Sequence, residues 1–166
     1  MFFLSLLSFT LASPSDLPSG ECASDTKTSA DLSGKELYLT HCAGCHQADG
    51  SGEEGFFPPV VNTPWVESPS ALTEVLLRGV SGTIYVNEKR YASYMSPYGK
   101  DLSNKDIVAI VQYVRQELNT YPTVPWTESD VATLRAKHLD STAIRGQKGL
   151  DALLTTTQNT ESTTDE

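Results

Sequence analysis

The pentapeptide Cys42-Ala43-Gly44-Cys45-His46 constrains this chain of 166 residues more than any other feature. Two thiols three positions apart, followed at once by an imidazole, are the residues that covalent attachment of a c-type haem requires. The thiols bond the two vinyl-derived carbons of the porphyrin, and the next side chain is carried beneath the ring, within reach of the iron. The motif therefore predicts a haem joined to Cys42 and Cys45, with His46 as the first axial ligand.

Two other kinds of site also use a Cys-x-x-Cys pair, namely a redox disulfide and one half of a zinc site. The redox disulfide belongs in a strand–helix–strand setting that the surrounding sequence lacks. A zinc site would need a second pair of ligands, but outside the motif the chain offers only Cys22, His41 and His138. Neither alternative requires a histidine directly after the second cysteine, so haem attachment is the favoured interpretation.

The composition of the chain divides it into segments. Residues 1–13 are apolar, uncharged and too short for a stable membrane span, which is typical of a secretory signal; an uncleaved anchor is the alternative. Residues 14–31 are rich in Ser, Pro, Asp and Thr and are expected to form a flexible leader that carries Cys22 as an unpaired thiol. The remainder is expected to divide into a cytochrome domain over 32–120, an extension with one short helix over 121–150, and a disordered polar tail over 151–166.

The net charge of the chain is −9, and this acidity limits the partners that it can have. Nucleic acid is excluded because its phosphates would be repelled. A redox protein that presents a basic docking patch is compatible with this charge. Because haem is attached outside the cytoplasm, we expect an exported, periplasmic protein with no stable membrane insertion after processing.

Capping signals and apolar spacing predict four helices and no strand of useful length. The breaker-rich stretches 47–66 and 80–102 are expected to be irregular loops, because they contain many glycines and prolines. Such long loops would leave a core of about a hundred residues thin unless they line a buried ligand. The fold class is therefore all-α, with helices packed around one haem. The predicted helices span about 34–44, 69–79, 104–119 and 128–138.

Met95 is the candidate for the second axial ligand of the iron. Apart from Met1 it is the only methionine, and it lies 49 positions after His46 (95 − 46) in an irregular loop. The alternative role of a lone methionine is to fill a gap in a core, which such a loop does not favour. His41 is expected to point away from the ring face, and His138 is expected to be a surface histidine. A thioether ligand raises the reduction potential relative to a second histidine.

The other ring nitrogen of His46 needs a hydrogen-bond acceptor to fix its tautomer. A carbonyl of the turn formed by Phe57, Pro58 and Pro59 is the natural supplier, because this turn follows the motif closely. Pro58 is the preferred residue, and Pro59 is the alternative. The alternative role of these prolines is simply to turn the chain.

Residues 33–119 resemble a class I c-type cytochrome. Gly34, Tyr38 and the attachment motif fall at the positions of that family's first helix, and Tyr113 falls at its last-helix aromatic, where the two terminal helices cross. The segments 79–83 and 91–95 are similar to the monohaem cytochromes that serve periplasmic dehydrogenases, nitrite reductases and oxidases. In this subgroup a proline usually follows the ligand methionine directly, whereas here Ser96 does.

This resemblance implies a cytochrome c-like fold, one covalent haem c, and His46 and Met95 as axial ligands. The function that it implies is one-electron transfer between periplasmic or membrane redox partners, without catalysis. The alternative is a haem-bearing subunit of a larger dehydrogenase or reductase; a gas sensor or a peroxidase is disfavoured, because Met95 would close the iron. By analogy with the family, Trp65, Arg78 and Tyr91 are candidates to contact the haem propionates.

Overall fold

The computed structural model describes residues 32–138 and 141–161, with side chains to residue 155. The expected signal, the leader with Cys22, and residues 162–166 lie outside the described residues. Every helix of the described part is too short or too polar to span a bilayer. The helices are α1 (Gly34–His41), α2 (Ala43–His46), α3 (Pro64–Glu67), α4 (Pro69–Arg78), α5 (Asn104–Tyr113), α6 (Glu128–Lys137) and α7 (Gly146–Glu161).

Three of these helices begin at a capping box. Ser33, Ser103 and Thr127 each accept a hydrogen bond from the backbone three residues later, where an acidic side chain bonds back to the cap. These reciprocal bonds satisfy N–H groups that would otherwise lack a partner in the first turn. The sequence predicts all three starts. The end of the long helix differs in detail, because α5 continues as a π-helical turn over Val114–Leu118.

Short strands occur where the sequence predicts only loops, so the expectation that residues 80–102 are irregular is wrong in part. Strands β2 (Ile84–Val86) and β3 (Lys89–Tyr91) form an antiparallel hairpin, and β1 (Val80–Ser81) pairs in parallel with β4 (Ile144–Arg145). Asn87 and Glu88 both have positive φ, 49° and 65°. Positive φ at both central residues is what a tight two-residue hairpin turn requires, although Glu88 is an unusual residue there.

The C-terminal segment is also more ordered than its composition suggests. We expected residues from 151 onward to lack order, but α7 runs from residue 146 to residue 161. The reason is that Leu150 and Leu153 lie on one helical face and are buried in an apolar cluster with Ile84 and Ile144. Helix α6 is equally attached, since Val131 is fully buried in the main core. The extension therefore packs on the domain.

The core consists of two apolar clusters. The first is built mainly by α1, α4 and α5 around Leu37, Ile107 and Ile110. The second is built by the short strands, α3 and α7. Met95 is partly buried and packs against both clusters. The segment that carries Met95 therefore runs between the two halves of the core.

Helices α1 and α5 cross in backbone contact at Gly34. A Cβ added there would lie 2.2 Å from the carbonyl oxygen of Ala109 and 2.9 Å from Cβ of Tyr113. One turn further along, the rings of Tyr38 and Tyr113 pack with centroids 5.5 Å apart. This crossing fixes the direction in which α1 delivers the attachment motif.

We predict that Gly34→Ala lowers the free energy of unfolding of the haem-loaded protein by about 1–3 kcal/mol, because α1 and α5 must separate. Thermal or urea denaturation measures the change. Gly44→Ala is the control, since a Cβ there meets no atom within 4 Å; it should change the stability by less than about 1 kcal/mol. An equal loss in both variants would contradict the explanation by close crossing.

Candidate functional site

The residues predicted to hold a cofactor line one cavity between the two apolar clusters. The cavity is partly open to solvent. Cys42, Cys45, His46, Pro58 and Met95 all contribute to its walls. Most of the remaining wall is apolar and comes from both clusters. The structure thus brings together residues that are up to 53 positions apart in the chain (95 − 42).

The two cysteines lie at the junction of α1 and α2. The N–H of Cys42 donates to the carbonyl of Tyr38 at 2.8 Å, and the N–H of His46 donates to the carbonyl of Cys42 at 2.9 Å. This continuous helical turn spaces the two sulfurs and the imidazole along one wall. Cys42 is buried and Cys45 is exposed.

The free thiols are poorly suited to the two alternatives to haem attachment. Burial, and secondarily the charge of Cys45, raises the pKa of the Cys42 thiol to about 12. Redox-active cysteines instead have lowered pKa values, because the thiolate is the reactive form. Within the described residues no group of three or more His, Cys, Asp and Glu side chains could hold a metal ion such as zinc.

His46 is held in one tautomer by the backbone. Its Nδ1 lies 2.8 Å from the carbonyl oxygen of Pro58, which is the preferred residue of the sequence analysis. Because a carbonyl only accepts, Nδ1 carries the proton, and Nε2 is left with a free lone pair. Burial lowers the pKa of His46, while the bond to Pro58 acts in the opposite direction. The imidazole is therefore kept neutral, which is the form that binds a metal.

Gly52 allows this contact. Its N–H donates to the carbonyl of His46 at 2.9 Å, and its φ is +67°. A Cβ at Gly52 would lie 2.4 Å from the carbonyl oxygen of Phe57 and 2.6 Å from that of Pro58. Only glycine can therefore occupy position 52 while the Pro58 carbonyl stays in contact with His46.

Met95 is positioned through its backbone. Its N–H donates to the carbonyl of Val80 at 2.9 Å, and its carbonyl accepts from the N–H of Val80 at 3.1 Å. Gly79, with φ of +67°, lies so close that a Cβ would be 2.3 Å from the Met95 carbonyl oxygen. Met95 is therefore anchored to β1, although it belongs to no regular strand itself.

The propionate candidates are divided by the structure. Trp65 and Tyr91 are buried and line the cavity. Nε1 of Trp65 is buried without a hydrogen-bond partner among the described residues. Arg78 is not among the residues that line the cavity and instead donates to Oε2 of Glu74 at 2.9 Å and to the carbonyl of Thr142.

Of the two histidines outside the motif, one differs from expectation. His41 is among the residues that line the cavity, with its ring 6.0 Å from that of Tyr98, and its orientation relative to the haem stays a prediction. His138 is not a surface histidine, because its side chain is 10% exposed and Nε2 lies 2.9 Å from Oε2 of Glu74. That pair is within ion-pair distance, although its angle is not that of a hydrogen bond.

Sequence analysis missed part of the wall that α7 and the hairpin supply. Ile84, Val86 and Leu150 line the cavity and belong to the second cluster. The alternation of Ile84 and Val86 around exposed Tyr85 is a strand signal. It is only three residues long, which is too short to be recognised from sequence alone.

Comparison with known proteins identifies the class to which this site belongs. The sequence profile of the family described as Cytochrome c matches residues 32–117. Because this match covers more than half of the chain, the chain belongs to the cytochrome c family. Its fold is the helical fold of that family, and the cofactor that the family implies is covalently bound haem c.

The particular relatives are of two kinds. Cytochrome c-552 of Thermus thermophilus is 32% identical over 119 residues, which is 66% of this chain and 79% of that protein. The cytochrome c subunit of the quinone alcohol dehydrogenase of Gluconacetobacter polyoxogenes is 31% identical over 64% of this chain. The corresponding subunit of the gluconate 2-dehydrogenase of Pantoea cypripedii is 28% identical over 61% of it. The chain spans only 23% and 24% of the length of these two subunits.

The residues present fit haem c. The Cys-x-x-Cys-His turn opens on an apolar cavity, and the half-buried thioether of Met95 lines it. The unsatisfied N–H of Trp65 is a buried donor that an anionic propionate would satisfy. A buried donor without an acceptor is costly, so this orphaned group matches the polar edge of the cofactor.

We predict that Gly52→Ala disturbs His46 without removing any cavity residue, because the Pro58 carbonyl must move. A weaker bond to Nδ1–H makes the imidazole less basic and disfavours ferric iron, so the reduction potential should rise. Redox titration and the Nδ1–H proton resonance of His46 measure this effect. Gly55→Ala is the matched control, because Gly55 has φ of +81° but no atom within 4 Å of an added Cβ. If both variants shift equally, backbone strain is the cause and the proposed role of the contact is wrong.

Proposed function

We propose that this protein transfers single electrons through a haem c held between His46 and Met95, as the electron-transfer component of a dehydrogenase system. The observation that carries the proposal is that the attachment motif, the oriented imidazole and the thioether line one cavity. When bound, the haem supplies the Fe(II)/Fe(III) couple. The chain supplies two ligands and an apolar enclosure, and it makes or breaks no substrate bond.

The ligand set that we propose suits reversible electron transfer. A neutral imidazole and a thioether leave the charge of the iron uncompensated, and an apolar wall makes the more highly charged ferric state more costly. Both effects raise the reduction potential. Because the backbone fixes both ligands, in one case through Pro58 and in the other through Val80, little rearrangement is needed when the charge changes.

The rim of the cavity offers a route for electrons. Cys45 and Tyr94 line the cavity and are exposed. Phe56 is 62% exposed and Tyr94 is 61% exposed. The hydroxyl of Ser93 donates to the carbonyl of Phe56, so the two loops that carry these aromatic rings are tied together. An exposed apolar rim beside the attachment turn is suited to brief contact with a redox partner.

The relatives favour a role beside a dehydrogenase. Several are named as cytochrome c subunits of quinone alcohol dehydrogenases or of a gluconate 2-dehydrogenase. The acidic chain, with its net charge of −9, would dock on a basic surface of such an enzyme. We place this exchange outside the cytoplasm, in the periplasm, where c-type haem is attached.

We predict that Met95→Leu lowers the reduction potential and allows the ferrous protein to bind CO promptly. Leucine keeps the volume but lacks the thioether that favours ferrous iron and closes the sixth position. Redox titration, CO difference spectra and the near-infrared sulfur-to-iron band of the ferric protein measure the effects. Val75→Ala, which shortens another cavity residue without removing a ligand, should retain the band. A band that persists in Met95→Leu would disprove the ligand assignment; prompt CO binding by the unaltered protein would favour a sensor or an enzyme.

We predict that the protein is reduced by a dehydrogenase of its own organism at a rate that falls as ionic strength rises. Salt screens the attraction between an acidic carrier and a basic partner, with a Debye length of roughly 10 Å at 0.1 M ionic strength. Stopped-flow reduction measures the rate, and copurification at low salt distinguishes a fixed subunit from a free shuttle. A rate that does not depend on salt would contradict the basic docking patch, while leaving one-electron transfer itself in place.

A further inference from the structure

Strand β1 is shared between the Met95 segment and the C-terminal extension. On one side Val80 exchanges two backbone hydrogen bonds with Met95. On the other side it pairs in parallel with Ile144, whose N–H donates to the carbonyl of Gly79 at 3.0 Å. Ile144 is 2% exposed. Val80 therefore pairs with Ile144 on one side and with Met95 on the other. In this way it links two residues that are 49 positions apart in the chain (144 − 95).

The extension also holds the chain that follows Met95, four to nine residues further on (99 − 95 and 104 − 95), through Arg135 of α6. The guanidinium of Arg135 donates to the carbonyl of Gly99, to the carbonyl of Leu102 at 2.9 Å and to Oδ1 of Asn104 at 2.8 Å. These acceptors lie between Met95 and the start of α5. A guanidinium has the fixed fork of donors that such a set of acceptors requires.

The two contacts are kept in place by a well-packed extension. Nε1 of Trp126 donates to the hydroxyl of Thr73 at 3.1 Å, and Val131 is fully buried against the main core. Further along, the N–H of Gln147 donates to the carbonyl of Thr83 at 3.1 Å, and its side-chain oxygen accepts from the N–H of Tyr85 at 2.7 Å. Both the α6 end and the α7 end of the extension are therefore fixed to the domain.

We propose that residues 121–138 and 141–155 form a strap that positions Met95, with Arg135 and Ile144 as its two positioning residues. The strap fixes β1, which anchors Met95, and the chain that follows Met95, so that the thioether would stay at the iron and not give way to water or an added ligand. This inference rests on the proposed ligation by Met95, and it gives the extension a function that the cytochrome domain alone does not have.

The test uses the full-length, haem-loaded protein with Arg135→Gln and Ile144→Ala. The readouts are the near-infrared sulfur-to-iron band of the ferric protein and the affinity for added imidazole, measured well below the melting temperature. We expect a weaker band and an apparent imidazole affinity higher by about tenfold in each variant, because the open form becomes more populated. Arg135→Lys keeps the charge but loses the planar set of guanidinium donors, so it should give a smaller change of the same sign. It replaces the glutamine variant if that variant does not fold.

Each variant has a control on the same element. Lys137→Gln removes the same charge from α6 at a side chain that is 55% exposed and lies 3.9 Å from Glu74, a pair too long and exposed to contribute much. Arg145→Ala shortens the exposed residue of β4. Both controls should keep the band and the imidazole affinity of the unaltered protein. Unchanged readouts in Arg135→Gln, Arg135→Lys and Ile144→Ala would overturn the strap, provided that Met95→Leu abolishes the band. If Met95→Leu itself keeps the band, the ligand assignment fails instead, so the two failures are distinct.

Discussion

The structure depends most on the apolar cavity between its two clusters. Protein interiors are packed to the density of organic crystals, so an apolar cavity with walls from both halves of the core is a site shaped for a large group. A bound group would complete the core, and this would compensate for the breaker-rich loops around it. The attachment that the motif predicts at Cys42 and Cys45 would keep the group on the chain even when the chain unfolds.

The backbone, more than any side chain, determines how the cavity can act on iron. The carbonyl of Pro58 selects the tautomer of His46, and β1 anchors the main chain of Met95. Both contacts need a glycine at close quarters, Gly52 in one case and Gly79 in the other, because a Cβ would overlap a carbonyl oxygen. Glycines in such positions are conformational requirements at the site and have little to do with flexibility.

Much of this arrangement could be predicted from local signals. The attachment motif is contiguous, and each capping box lies within four residues, so both can be recognised without knowledge of the fold. The structure places the Pro58 carbonyl at His46, and these two residues are only twelve positions apart (58 − 46). Pairing of β1 with β4 could not be predicted, since its partners are 64 positions apart (144 − 80) and each strand has two residues.

Contacts between residues that are far apart in the sequence also hold the extension on the domain. Glu74 of α4 is 6% exposed, and a buried carboxylate is costly unless cations lie close to it. Arg78, at 2.9 Å, comes from the same helix, whereas Lys137, at 3.9 Å, comes from the end of α6. The side chain of His138 also lies over the carboxylate, with Nε2 2.9 Å from Oε2 of Glu74. Without the extension, Glu74 would keep Arg78 as its partner, but its carboxylate would become more exposed to solvent. The contacts of Lys137 and His138 with Glu74, and those of Arg135 and Ile144 near the Met95 segment, thus pack different parts of the extension on the domain.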